Sequence, residues 1–138
     1  MTRKEKLTEL YRKYNLTSED VFKNPSQGWT IITRGGIDKV QAAANIKITY
    51  EVISYDLENI IIKAVGTLGD SYIETFGEAS PKNTRNGYPV AIAEKRAMSR
   101  AVLKLSGLYA VGVNGQDEFD DANKFVAQQQ KQLRTGTL

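Results

Sequence analysis

The chain carries two kinds of hydrophobic pattern, one with helical spacing and one that alternates between apolar and polar residues. The alternation is clearest at residues 46–52, where apolar residues are separated by Lys, Thr and Glu, and it predicts a half-buried β-strand. Two further strands follow, after polar turns at residues 56–59 and 68–71. Together these segments predict an antiparallel meander over residues 46–80.

Helical spacing of apolar residues predicts helices on both sides of the meander. The longest begins near Pro89, which suits the first turn of a helix, and ends near Gly107, a residue type that commonly closes one. The other predicted helices cover residues 3–14, 34–44 and 117–133. Shorter predicted elements are a helical turn at 16–25, a strand or extended segment at 28–33 and a strand or loop at 108–116.

This order of elements predicts an α+β fold. A three-stranded antiparallel meander is packed by a long basic helix, and further helices lie towards the N- and C-terminal ends. We divide the chain into an N-terminal helical segment (1–25), a core domain (26–116) and a C-terminal helix with a frayed tail (117–138). Gly77 and Ala79 share one face of the third strand, and such small residues predict that a helix approaches the sheet closely there.

Composition narrows the classes of function. The 138 residues are 41% hydrophobic and 25% charged, which is typical of one soluble globular domain. The chain has no Cys and no His, which excludes thiol nucleophiles, histidine bases and the usual zinc sites. We therefore expect a binding protein that is not an enzyme, with no metal, cofactor or small-molecule substrate. Neither a signal peptide nor a membrane-spanning stretch is predicted, so we expect a cytoplasmic protein.

The net charge of +3 is mild, so the placement of the cations matters more than their number. Arg96, Arg100 and Lys104 are spaced four apart and lie along one side of the long helix, flanked by Ile92 and Leu103. A fully solvated edge needs no apolar neighbours. The pattern therefore favours a basic strip in a groove or at a subunit contact. Other candidate cations are Lys82, Arg85, Lys95 and Arg34.

Each of these features also has a purely structural interpretation. Basic strips on helices are usually solvated faces. Arg34 precedes a helix whose free backbone N–H groups can bind a phosphate, but the glycines after it also suit a simple turn. Glu94 either positions an arginine or is a first-turn carboxylate favoured by the helix dipole. Trp29 and Tyr88 can stack on bases or pack against the core.

A known family shows the same order of elements. Antiparallel strands, the strand end GEAS, a basic loop and a helix ending RAVLKLSG resemble the single-strand annealing superfamily. Its members include the eukaryotic Rad fifty-two protein and the phage proteins Erf and Red-beta. The likeness covers about residues 28–121. When the helices are aligned on Gly107, Arg100 and Lys104 match two cations of the family, while Ala101 stands where the family has a third.

The resemblance implies a protein that binds single-stranded DNA along a groove of an oligomeric ring or filament. Such proteins hold the strand extended so that complementary bases can pair, which requires no nucleophile and agrees with a chain that lacks His and Cys. We therefore predict a phage-type DNA-binding and annealing protein. Its phosphate contacts would be Arg96, Arg100 and Lys104, with the other candidate cations assisting.

Two other functions are compatible with the sequence. One is a structural or adaptor protein of a replication or phage complex that does not itself bind DNA. The other is a Mg²⁺-dependent nuclease that uses acidic side chains, although the acidic segment 115–121 lacks the spacing of a known calcium loop. The candidate acids for this second alternative are Glu74, Glu78, Asp117 and Asp120.

Overall fold

The structure is a computed structural model that describes residues 2–23, 28–56, 59–81, 88–118 and 120–135. The helices are α1 (Arg3–Lys13), α2 (Arg34–Ala44), α3 (Pro89–Ser106) and α4 (Asp120–Thr135). The strands are β1 (Val21–Lys23), β2 (Thr30–Ile32), β3 (Lys47–Tyr55), β4 (Ile60–Leu68), β5 (Ser71–Ala79) and β6 (Val113–Gly115). Two 3₁₀ turns cover Tyr109–Val111 and Gln116–Glu118. None of these helices, over the described part of the chain, is long and apolar enough to cross a membrane.

The larger sheet is the predicted meander, in which β3, β4 and β5 pair antiparallel in that order. Alternate residues of β4, among them Ile60, Ile62 and Ala64, are buried on the face that packs against α3. The intervening residues lie on the opposite face, which we call the outer face. The predicted α+β fold, a meander packed by the long helix, is confirmed.

Small residues allow α3 to lie very close to β5. A Cβ atom on Gly77 would overlap the backbone of Ala93 and Ala97, two fully buried residues of α3. The hydroxyl of Thr75, two residues before Gly77 on the same face, donates a hydrogen bond to the Ala97 carbonyl over 2.6 Å. The close approach that Gly77 predicted is therefore present.

A second sheet, which the sequence did not predict, lies against another side of α3. In this sheet β1 pairs antiparallel with β2, and β2 pairs parallel with β6. β6 meets α3 where Gly115 faces Ser99. The helical turn predicted at 16–25 is wrong in part, because the chain turns at residues 18–20 and then forms β1.

The N-terminal helix packs on the core. Leu7, Leu10 and Tyr11 of α1 are half-buried against the largest hydrophobic cluster, and Tyr14 just after the helix is buried within it. The Arg3 guanidinium, at the start of α1, donates to the Val111 carbonyl over 2.9 Å. Helix α1 is thus held at both ends.

The C-terminal helix begins later than the sequence predicted. It starts at Asp120 because Gln116–Glu118 form a 3₁₀ turn, in which Asp117 is buried. Beyond that turn, Phe125 contacts Trp29 edge-on, with ring centroids 5.0 Å apart. Trp29 therefore packs between the second sheet and α4, in agreement with its structural interpretation.

Strand β3 is more exposed than its alternating pattern predicted. It is an edge strand of the larger sheet, and none of its nine residues is buried. Helix α3 packs mainly on β4 and β5 and leaves the apolar side chains of β3 largely uncovered. The exposed apolar residues of β3 are Tyr50, Val52, Ile53 and Tyr55.

Candidate nucleic-acid interface

The basic side of α3 runs along the free edge of β5. The Arg96 guanidinium donates to the Glu78 carbonyl over 2.8 Å, and the Arg100 guanidinium donates to the Phe76 carbonyl over 2.6 Å. Four residues of helix rise about 6 Å and two residues of strand about 6.6 Å, so successive helical turns meet alternate strand residues. We call this line, from Arg96 through Arg100 to Lys104, the seam.

Arg96 lies at the buried end of the seam. It is 2% exposed, and its Nε also donates to the Asp117 carbonyl in the 3₁₀ turn. The sequence predicted an accessible strip of three cations, but the 3₁₀ turn and the edge of β5 enclose the first of them. Arg96 therefore joins β5, α3 and the 3₁₀ turn, and it is not placed to meet a phosphate.

Arg100 is held between two carboxylates. Glu78 of β5 accepts hydrogen bonds from both Nη atoms at 2.8 and 2.9 Å, and Glu118 accepts from Nε and Nη2 at 2.8 and 2.7 Å. Both contacts are bidentate, the strong geometry for a guanidinium and a carboxylate. The hydrogen bond from Arg100 is the main cause that lowers the pKa of Glu78. Arg100 is accessible, with its side chain 23% exposed, but it is already paired.

Lys104 is the exposed cation of the seam. Its ammonium lies 5.4 Å from the ring centroid of Tyr109, which is itself largely exposed. Lys95 is half-buried and lies about 100° around the helix from Arg96, so it does not share the seam. The flanking residues Ile92 and Leu103 are both buried in the core, so they form no groove wall.

Arg34 is committed to other contacts. Its guanidinium forms an ion pair with the buried Asp117, and its backbone N–H donates to the Gln116 side chain over 2.8 Å. The first N–H of α2 is thus satisfied within the chain. The predicted cations Lys82 and Arg85 lie outside the described residues, so their placement stays a prediction.

Glu94 does not position an arginine within the described part of the chain. It is exposed on α3 and faces Tyr50 of β3. Partial burial and the nearby Glu94 carboxylate raise the pKa of Tyr50. This carboxylate therefore lies between α3 and β3, on the side of the helix away from the seam.

Exposed aromatic rings that were not among the predicted site residues lie beside the seam. Tyr72 and Phe76 are four residues apart on the outer face of β5, where Tyr72 is 68% and Phe76 is 48% exposed. That separation is about 13 Å along the strand. The alternation in SYIETF was the available signal, because it places both rings opposite the inward-facing Ile73. Tyr88, at the start of α3, is also exposed.

The described acidic residues considered for a nuclease each form a separate ion pair. Glu74 lies 3.6 Å from the Lys63 ammonium, Glu78 binds Arg100, and Asp117 binds Arg34. The Asp120 side chain lies outside the described residues. Over the parts of the chain that the structure describes, no group of three acidic side chains is placed to hold a metal ion.

Comparison with protein-family models, with curated proteins and with solved structures finds no match to this chain.

Proposed function

We propose that this protein binds single-stranded DNA and promotes annealing as a homo-oligomer. The observation that carries the proposal is the meeting of cations and exposed rings at the seam, where Arg100 is hydrogen-bonded to the backbone of Phe76 and Lys104 lies against Tyr109. Cations bind the phosphate backbone, and exposed rings stack on unpaired bases. Duplex DNA keeps its bases stacked inside, so this combination favours a single strand. The action would take place in the cytoplasm, or in the host cytoplasm if the chain is viral.

The residues assigned to DNA differ from those expected from the sequence. Lys104 and Arg100 are the phosphate contacts. Arg96 joins β5, α3 and the 3₁₀ turn and so stabilises the elements that carry them. Phe76 and Tyr72 are added as surfaces for bases. Lys82 and Arg85 belong to the segment just before α3 and stay candidate phosphate contacts, and Lys95 and Arg34 become secondary ones.

We expect the protein to bind a fluorescently labelled oligo-dT, with an affinity that falls steeply as salt rises. Lys104→Ala should shallow the slope of log K against log salt by about 0.7, the value for one lost phosphate contact on a single strand. Phe76→Ala should weaken binding roughly tenfold, because stacking on one ring contributes about 1–3 kcal/mol per base. Fluorescence anisotropy at several salt concentrations measures both effects.

The matched control is Lys124→Ala. Lys124 is an exposed cation on α4, a different helix from the one that carries the seam, and its loss makes the same change in net charge. It should leave the affinity within about twofold of the parent. Equal losses for Lys104→Ala and Lys124→Ala would indicate general attraction by charge and would contradict the assignment of the seam.

The oligomer in this proposal uses β3. Its free edge has no partner strand in the described sheet, and its exposed apolar side chains, Val52 at 60% exposure among them, are largely uncovered by α3. Long exposed edge strands are templates for pairing with another chain, and contiguous exposed apolar residues mark contact sites. A second copy of the chain would cover both features.

Light scattering should therefore show that the parent is an oligomer, with a mass at least twice the 15.4 kDa of one chain. Val52→Asp should shift it towards the monomer, because the carboxylate would be buried in the contact. Thr49→Asp is the control, since Thr49 is also exposed but lies on the outer face of the same strand. A monomeric parent would show that this part of the proposal is wrong.

One observation favours the adaptor function instead. The arginines that the sequence assigned to phosphate are already engaged: Arg96 with two carbonyls, Arg100 with two carboxylates and Arg34 with Asp117. A protein that uses its basic residues only for internal structure would show no affinity for the oligonucleotide at moderate salt. The same titration therefore separates the two functions.

A further inference from the structure

The Arg100 guanidinium has every one of its hydrogen-bond donors occupied. An arginine carries five N–H donors. Glu118 accepts from Nε and Nη2, Glu78 accepts from Nη1 and Nη2, and the Phe76 carbonyl accepts the remaining bond from Nη1. A phosphate can therefore reach Arg100 only if one of these acceptors leaves.

The two carboxylates differ in how easily they can leave. The Glu78 side chain is 46% exposed, whereas the Glu118 side chain is 20% exposed. The backbone of Glu78 is fixed by pairing with Ile61 and by the hydrogen bond from Arg96 to its carbonyl. Its side chain can thus rotate into solvent while the strand stays in place.

The contact that Glu78 makes is also the one a phosphate can reproduce. It occupies one N–H on each Nη atom, the parallel pair of donors that binds a carboxylate or a phosphate in the same bidentate way. A phosphodiester carries one negative charge, as the carboxylate does. Exchanging one for the other leaves the guanidinium paired throughout, which keeps the cost of the exchange low.

We propose that Glu78 is a built-in competitor for phosphate, which occupies Arg100 in the free protein and is displaced by a phosphodiester when single-stranded DNA binds. This inference rests on the proposed function. A carboxylate tethered beside Arg100 acts at a high effective concentration, so a free phosphate ion displaces it poorly. A strand held at several points displaces it more readily, and the contact favours polymeric over monomeric anions.

Replacing Glu78 by Gln tests the proposal, because it removes the competing charge and keeps the size of the side chain. We expect Glu78→Gln to bind labelled oligo-dT about tenfold more tightly than the parent, the effect of about one charge-assisted contact. The slope of log K against log salt should stay close to that of the parent, because Arg100 contacts the same phosphate in both proteins once DNA is bound.

Glu74→Gln is a closely matched control. Glu74 lies on the same strand and the same face as Glu78, its side chain is 47% exposed, and it pairs with Lys63 instead of Arg100. It makes the same change in net charge and should alter the affinity less than about twofold. Equal effects of Glu74→Gln and Glu78→Gln, or weaker binding by Glu78→Gln, would overturn the competitor role.

A second measurement needs no variant. Carbodiimide-coupled labelling of carboxylates, read by mass spectrometry on the parent protein, should show that Glu78 reacts faster when oligo-dT is bound, while Glu74 is unchanged. Unchanged or slower labelling of Glu78 in the complex would contradict the exchange.

If neither the parent nor Glu78→Gln binds oligo-dT at low salt, the proposed function and this inference are both wrong. If the parent binds and Glu78→Gln equals it, only the inference is wrong.

Discussion

Replacing Gly77 by alanine is expected to cost the protein about 3–5 kcal/mol of its free energy of unfolding. The added methyl group would overlap the backbone of Ala93 and Ala97, and backbone atoms cannot rotate away as a side chain can. Relief requires α3 to move off β5, which would also strain the hydrogen bonds from α3 to the β5 carbonyls. Urea unfolding followed by circular dichroism measures the loss.

The control for this substitution is Gly35→Ala in α2. A Cβ atom there would meet only the Thr33 hydroxyl at 3.8 Å, an ordinary contact distance. Alanine is favoured over glycine within a helix by up to about 1 kcal/mol, so this variant should be neutral or slightly more stable. If Gly77→Ala unfolds at the same urea concentration as the parent, the close packing of α3 on β5 is not what holds the sheet.

Arg96→Met should produce the other large effect, a loss of about 2–4 kcal/mol. Methionine fills much of the same volume, but the buried carbonyl of Asp117 and the partly buried carbonyl of Glu78 lose their donor. Each unsatisfied buried acceptor costs about 1–3 kcal/mol. The loss should appear as a lower urea midpoint.

Lys95→Met and Arg96→Lys separate the causes of that loss. Lys95 is the preceding residue, half-buried, and its replacement removes the same charge, so a change within about 0.5 kcal/mol is expected. Arg96→Lys keeps the charge but presents its donors from one point, so it cannot serve both carbonyls as the planar fork does. If Arg96→Lys unfolds at the same urea concentration as the parent, the site requires the positive charge and not the planar guanidinium.

Local patterns predicted most of the elements that build the fold. The segment 34–44 became α2 with the predicted bounds, and the long helix ends at Gly107, whose φ of +87° is the conformation that glycine readily adopts. Capping and hydrophobic period act over a few residues, so they can be recognised in the sequence. The second sheet could not be predicted, because β2 and β6 have three residues each and neither specifies its distant partner.

The candidate site was predicted less completely than the fold. Helical spacing correctly placed Arg96, Arg100 and Lys104 on one side of α3, but it does not say what covers that side. The edge of β5 and the Gln116–Glu118 turn cover Arg96 and pair Arg100, and both come from other parts of the chain. The exposed rings of β5 were not predicted as site residues, because alternation separates the two faces of a strand but does not say which face stays uncovered.

Local sequence patterns were sufficient to predict the helices, the meander, the close approach at Gly77 and the line of cations along α3. All of these follow from interactions within a few residues or from the periodicity of one segment. Which of these cations are exposed could be seen only in the folded chain, because burial and ion pairing depend on segments that are distant in sequence. The basic line on α3 thus contains a buried arginine that joins three elements, an arginine shared by two carboxylates, and a single exposed lysine.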